Sequence, residues 1–377
     1  MINKDFYKLA EEDAEIRGFD VDEVLACMER ALIGAFKKEH GNTSCKVEFK
    51  KDRNEILIYS IHKVVEEYTD YSKLLEDETT ENTEVKSEEP QYAEMLLVDA
   101  KKIKSSYKVG DLVLQQENLK NYSRTTILSA GNMYKQGVRT LEREKAYNYF
   151  KSLENEMVNS EVSNIGDRFL TLKLGFNVTT LLPVSELLPN DHFQIGDYIR
   201  VYIKKVEQTT KEPKVVVSRT ERNLVTRLME NYIPEIKSGI IEIKGIARDP
   251  GDRTKIAIYS NDEKVDAIGS CVGEGGNRIK EIVNALGGEK VDLYKWSEDP
   301  EELIANSLQP ASVTRVLSID PKNKTSQVVV PDDHLSLAIG KQGQNVRLAV
   351  QSCGWKIDIM PTSEAYEKGL INILGLD

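Results

Sequence analysis

Two four-residue glycine segments constrain this chain more than any other feature. Gly273-Glu274-Gly275-Gly276 and Gly340-Lys341-Gln342-Gly343 stand 67 residues apart, and their flanks repeat with them. Ile279 answers Val346, Lys280 answers Arg347, Val283 answers Val350 and Gly287 answers Gly354. After one inserted residue, Lys290-Val291-Asp292-Leu293 answers Lys356-Ile357-Asp358-Ile359. A repeat of this kind means one folding unit used twice, and it fixes the reading of everything around it.

In each copy a short apolar segment runs into the glycines and a periodic segment leaves them. Ile279, Ile282, Val283 and Leu286 fall at i, i+3, i+4 and i+7, the spacing of a helix with one buried face. Gly287 and Gly354 then stand where a helix ends in a left-handed residue. The glycines therefore join two helices tightly, and a strand follows. Glycine lets a phosphodiester approach the main chain, and the second helix offers its first N–H groups to phosphate. A GxxG loop between two helices resembles the KH domain, which clamps about four nucleotides of single-stranded nucleic acid. In the first unit the resemblance puts RNA on Gly273, Glu274, Gly275, Gly276, Asn277, Arg278 and Lys280, with a base groove near Val291 and Leu293. In the second it puts RNA on Gly340, Lys341, Gln342, Gly343, Gln344, Asn345 and Arg347, with Ile357 and Ile359. The loops are chemically unequal: the second carries the cation Lys341 and the first the anion Glu274, which Arg278 and Lys280 are expected to offset.

The rest of the chain orders itself around this pair as a multidomain α+β protein. Residues 1–130 read as a helix-rich α/β N-terminal domain. Asp20 and Glu23 form a capping box before an amphipathic helix closed by Gly41. CKVEFK and EILIYSI read as strands, as do EMLLVDA and DLVLQQ. Residues 66–90 are an acidic insertion with few apolar groups, either a solvated mobile segment or a docking site for a basic partner. Residues 123–153 read as a stiff connector helix of about 45 Å, which Gly131 and Gly137 weaken or bend. Five short strands over residues 154–220 predict a small OB-type barrel. Residues 221–296 and 297–361 each follow the order αββααβ of a bacterial KH domain, and 362–377 form a C-terminal tail.

Hydrophobic residues make up 40% and charged residues 30% of the 377, ordinary for a soluble globular chain. No apolar run reaches membrane-spanning length and no signal-peptide pattern opens the chain, so a cytoplasmic protein without membrane contact is expected. Cys27, Cys45, Cys271 and Cys353 are scattered, which points to reduced thiols. The net charge of −11 is uneven: residues 1–130 carry 19 Lys+Arg against 27 Asp+Glu, and residues 131–225 carry 14 against 12. A long-range field of this sign does not gather RNA, so a protein partner is expected to bring the chain to its transcript.

The OB-type segment resembles the module of the largest small-subunit ribosomal protein through Val184-Ser185-Glu186-Leu187, Gly196-Asp197 and Val217-Ser218-Arg219. Pro183 stands where such modules carry a histidine for base stacking, which leaves open whether this barrel binds RNA or spaces its neighbours. An OB module followed by two KH domains, with ARDPGDRTKIAIYSND, IGSCVGEGGNRI and AIGKQGQNVRLA, resembles the NusA family of bacterial transcription factors, in a short form without acidic C-terminal repeats. The resemblance implies an N-terminal domain that docks on RNA polymerase, OB and KH domains that receive the nascent single-stranded RNA, and effects on pausing, termination and antitermination. It implies a monomer that works with other antitermination factors. No HExxH, Walker A or GxSxG motif appears and the four histidines are dispersed, so neither enzyme activity nor a metal or other cofactor is expected. The alternative is an RNA-binding ribosome-assembly or translation factor.

Overall fold

A computed structural model of the chain describes residues 6–41, 43–68, 92–118 and 121–371. Most of the acidic insertion, residues 69–91, lies outside the described residues. The chain divides into two compact units, Met1–Lys145 and Ala146–Asp377.

In the first unit the helices Phe6–Arg17 and Val21–His40 pack together. The capping box forms: Asp20 accepts from the helix start and Glu23 returns to the Asp20 N–H at 3.0 Å. Val24, Leu25 and Phe36 are buried, with Met28 and Leu32 half-buried beside them, so the apolar stripe faces the unit's own core. Strand β2 (Glu55–Val65) carries the whole sheet. It pairs antiparallel with β1 (Cys45–Lys50), parallel with β3 (Ala93–Leu96) and antiparallel with β4 (Leu112–Gln116). The strand expected over residues 94–100 is cut short. β2 ends at Val65, opposite Leu96, so the ladder has no further partner there. The chain turns instead into the helix Leu97–Ile103, whose Ala100 is buried against Val64 and Val113.

The connector helix runs unbroken over Arg124–Ser152, 29 residues. Ser123 caps it by accepting from the Thr126 N–H. Gly137 is a packing position rather than a break: a Cβ there would lie 3.2 Å from Cys27 Sγ on the Val21–His40 helix. Gly34 on that helix answers it, since its Cβ would fall 2.1 Å from Met133 Cε.

The second unit begins with a five-stranded sheet in the order β7-β6-β5-β8-β9, nearly closed because β7 also lies against β9. The strands are β5 (Met157–Ile165), β6 (Phe169–Gly175), β7 (Val178–Pro183), β8 (Tyr198–Glu207) and β9 (Lys214–Ser218). Leu170, Leu172, Leu182, Ile199, Val201 and Ile203 fill its interior, joined by Ala146 and Phe150 from the helix.

Two three-stranded sheets follow. β10 (Ile241–Asp249) and β11 (Arg253–Ser260) are antiparallel, and β12 (Lys290–Lys295) adds parallel to β11. β13 (Arg315–Asp320), β14 (Thr325–Val330) and β15 (Lys356–Pro361) repeat the pattern. The helices Arg222–Tyr232, Ala267–Val272 and Asn277–Ala285 belong to the first sheet. Pro300–Ser307, Leu335–Ile339 and Gln344–Cys353 belong to the second. Asp299 caps its helix with Pro300 at the first position, accepting from the Glu301 N–H. Beyond β15 the segment Thr362–Glu367 is helical, and Ala365 is buried with Val329 and Met360.

Barrel and repeats interlock. Arg219 is 3% exposed, and its guanidinium grips Asp191 through Nε at 2.6 Å and Nη2 at 2.8 Å. The same group donates to the carbonyls of Arg200 at 2.7 Å and Ala285 at 3.1 Å, joining barrel to first repeat. The two repeats share one core, in which Ala257 and Tyr294 of the first lie with Leu308, Val328 and Trp355 of the second.

Candidate nucleic-acid interface

The two glycine loops are conformational copies. Gly273 and Gly340 have φ/ψ of 73/173° and 76/172°. Gly275 and Gln342 are both left-handed, at 60/16° and 54/30°. Gly276 and Gly343 follow at 77/17° and 73/15°. Three positive-φ residues in a four-residue loop explain the glycine content, since a Cβ at such a residue costs about 1–2 kcal/mol. Gln342 bears that cost alone.

The glycines divide by role. A Cβ at Gly273 would lie 2.8 Å from Arg278 Cγ, and one at Gly340 would lie 2.7 Å from the Asn345 nitrogen. The first glycine of each loop is thus needed for packing on its own second helix. Around Gly275 and Gly343 there is open space within 4 Å. Both loops close in the same way, the Gly276 N–H donating to the Gly273 carbonyl and the Gly343 N–H to the Gly340 carbonyl, each at 3.1 Å. Left-handed residues immediately before a helix start give the backbone geometry of a small anion nest.

The side chains around the loops are more committed than the sequence reading expected. Arg278 donates to Glu235 at 2.8 Å and to the Ser270 carbonyl at 2.7 Å, so it does not stand free to offset Glu274. Lys280 turns back on the Gly275 carbonyl at 3.0 Å. Arg347 is ion-paired with Asp249, and Gln344 donates to Asp249 at 3.0 Å and Asp252 at 2.7 Å. Asn345 is buried, and its amide donates to the carbonyls of Leu308 at 3.0 Å and Ala338 at 3.1 Å, an internal brace rather than a surface contact. The side chains of Lys341 and Glu274 remain exposed and make no hydrogen bond or ion pair among the described residues. Asn277 is exposed at the start of its helix.

The expected base grooves lie along sheet edges. Among the described residues β12 pairs only with β11, and β15 only with β14. Val291 and Leu293 are half-buried over the core holding Cys271 and Ile282, and Ile357 and Ile359 over that holding Ala338 and Ala349. Each edge strand therefore offers unpaired backbone groups and partly exposed apolar side chains beside its loop.

The barrel presents a face that sequence reading undervalued. Phe169 lies directly across from Pro183, and Thr171 across from Leu181. Phe169 is 44% and Leu181 56% exposed, so an aromatic ring stands beside the proline. The signal was available: Leu170 and Leu172 form the inward row, and Phe169 is out of phase with it. Asp249 and Asp252 were also missed as neighbours of the second loop, because nothing in the sequence shows that the turn of one repeat reaches the helix of the next.

Comparison with known proteins matches four successive segments of the chain. Residues 5–144 match the NusA N-terminal domain, 152–218 the S1 RNA binding domain, 219–296 the NusA-like first KH domain and 300–367 the NusA-like second KH domain. The transcription termination/antitermination protein NusA of Halalkalibacterium halodurans is 39% identical over 356 residues, 94% of this chain and 87% of that protein. The chain belongs to the NusA family. The Bacillus subtilis NusA is 38% identical over 355 residues, 94% of this chain and 90% of that protein. The Thermus thermophilus NusA is 35% identical over 370 residues, covering 94% and 89%. In NusA terms the glycine loops sit in the two KH domains, and the Phe169 face belongs to the S1 domain. No described helix is long and apolar enough to cross a membrane.

Proposed function

We propose that the chain acts in transcription termination and antitermination by holding nascent single-stranded RNA on its two glycine loops while its first domain docks on RNA polymerase. The observation that carries this reading is the pair of conformationally matched loops, each opening a second helix and each holding a left-handed glycine with open space around it. The RNA backbone meets Lys341, Gln342 and the main chain of the second loop, and Asn277 and the main chain of the first. Bases lie along β12 and β15 by Val291, Leu293, Ile357 and Ile359. In this reading residues 1–130 with the acidic insertion serve polymerase, 154–220 form the barrel, and 221–296 and 297–361 form the KH pair. The protein works as a cytoplasmic monomer alongside other antitermination factors and needs no cofactor.

A single-round transcription assay across an intrinsic terminator, with purified bacterial RNA polymerase, tests this. Adding the protein shifts the ratio of terminated to read-through transcript, and the Lys341→Asp/Gln342→Asp variant loses most of that shift while still co-eluting with polymerase. A variant as active as the parent, or one that loses polymerase as well, contradicts the division of labour.

A further inference from the structure

The turn between β10 and β11 reaches across the repeats to the second glycine loop. There Asp249 and Asp252 meet the first turn of the Gln344–Cys353 helix, immediately after Gly343. A carboxylate at a helix start occupies the electrostatic position of a bound phosphate. Here two carboxylates engage the two side chains best placed to help a phosphate: the Arg347 guanidinium and the Gln344 amide. The Arg347 and Asp249 side chains are 51% and 28% exposed, so the pair is screened by water and can open. At the matching positions of the first repeat Lys280 bonds its own loop and Asn277 is exposed, with no carboxylate of the described residues bonded to either side chain.

We propose that Asp249 and Asp252 are an internal phosphate mimic that sets the RNA affinity of the second loop. With the carboxylates in place, the loop offers RNA only Lys341, Gln342 and its backbone nest. Arg347 and Gln344 are released only when RNA displaces the turn or the carboxylates are neutralised. The turn belongs to the first KH domain, so the strength of the second loop is set by its neighbour rather than by its own residues alone. The proposal rests on the RNA reading given above.

The test is fluorescence-anisotropy titration of the full chain with a single-stranded RNA of about ten nucleotides, enough for both loops, at several salt concentrations. Asp249→Asn/Asp252→Asn should bind roughly two- to five-fold tighter, the range for releasing an exposed ion pair. Its log–log salt slope should steepen by about 0.7 for one gained phosphate contact. In an Arg347→Ala/Gln344→Ala background the same Asn pair should give no gain. Unchanged or weaker binding by the Asn variant overturns the proposal, as does an equal gain in both backgrounds. Asp249→Asn alone serves if the double variant melts early, and it should give part of the gain. If Lys341→Asp/Gln342→Asp leaves the parent's binding intact, the RNA reading itself fails, a result distinct from any of these.

Discussion

Gly245 lies against Ser352 so closely that a Cβ on Gly245 would stand 2.0 Å from the Ser352 carbonyl oxygen. The clash would be with main chain, which cannot swing aside. β10 of the first KH domain and the Gln344–Cys353 helix of the second therefore meet backbone to side-chain-free backbone. Tyr294 reinforces the contact by donating to Ser352 Oγ at 2.9 Å. Gly245→Ala should destabilise the second unit by about 1–3 kcal/mol, the range for overpacking a closed interface. Thermal melts of the full chain check this; an unchanged melting temperature would mean that the domains slide freely.

The loop glycines should respond unequally. Gly275→Ala meets open space and should cost only its left-handed φ, about 1 kcal/mol. Gly273→Ala adds a clash with Arg278 and should cost at least twice as much. Urea denaturation of the two variants separates the cases, and equal losses would remove the distinction between packing and ligand-facing glycines.

Lys255 provides a pH signature. It is fully buried at the junction of the two repeats, donating to the Gln309 carbonyl at 2.6 Å. Burial pushes its ammonium down to about 8, with Asp292 opposing the shift and Arg253 adding to it. A lysine depressed in the folded state binds fewer protons there than in the unfolded chain between about pH 8 and its ordinary 10.5. Its contribution to stability therefore rises with pH across that window, and below it the buried charge is a constant cost. Lys255→Met should gain over the parent most at pH 7, and the gap should narrow by pH 10. Melting temperatures of both proteins from pH 7 to 10 test this, and a gap that widens with pH would contradict it.

The buried Arg219–Asp191 pair should be the firmest link between barrel and first KH domain. The two side chains are 4% and 1% exposed, so removing one leaves an uncompensated buried charge. Asp191→Ala should cost about 3–5 kcal/mol. Limited proteolysis should then cut between barrel and KH domain before either is degraded. Simultaneous degradation would indicate that Arg219 does not join them.

The repeat, the glycine loops, the capping box and the alternating barrel strands were legible because each is a local rule: helical spacing, a positive-φ requirement, or a period of two. The pairing of charges was not. Arg278 and Arg347 look like free cations beside a phosphate site, yet Glu235 and Asp249 reach them from 43 and 98 residues away. Asn345 reads as a polar surface group beside the loop but is spent on buried carbonyls. The strand expected through Ala100 failed for a similar reason, because the end of β2 limits the ladder. Long-range partners decide these cases, and no spacing in the sequence encodes them.

The most direct measurement of the central claim is a salt-dependent titration of single-stranded RNA against the parent chain, Lys341→Asp/Gln342→Asp and Glu274→Lys, with melts to show that all three are folded. The loops, as phosphate clamps, predict weaker binding and a log–log slope shallower by about 0.7 or more for the Asp pair, and tighter binding for Glu274→Lys. Three superimposable titrations would show that RNA does not touch the glycine loops.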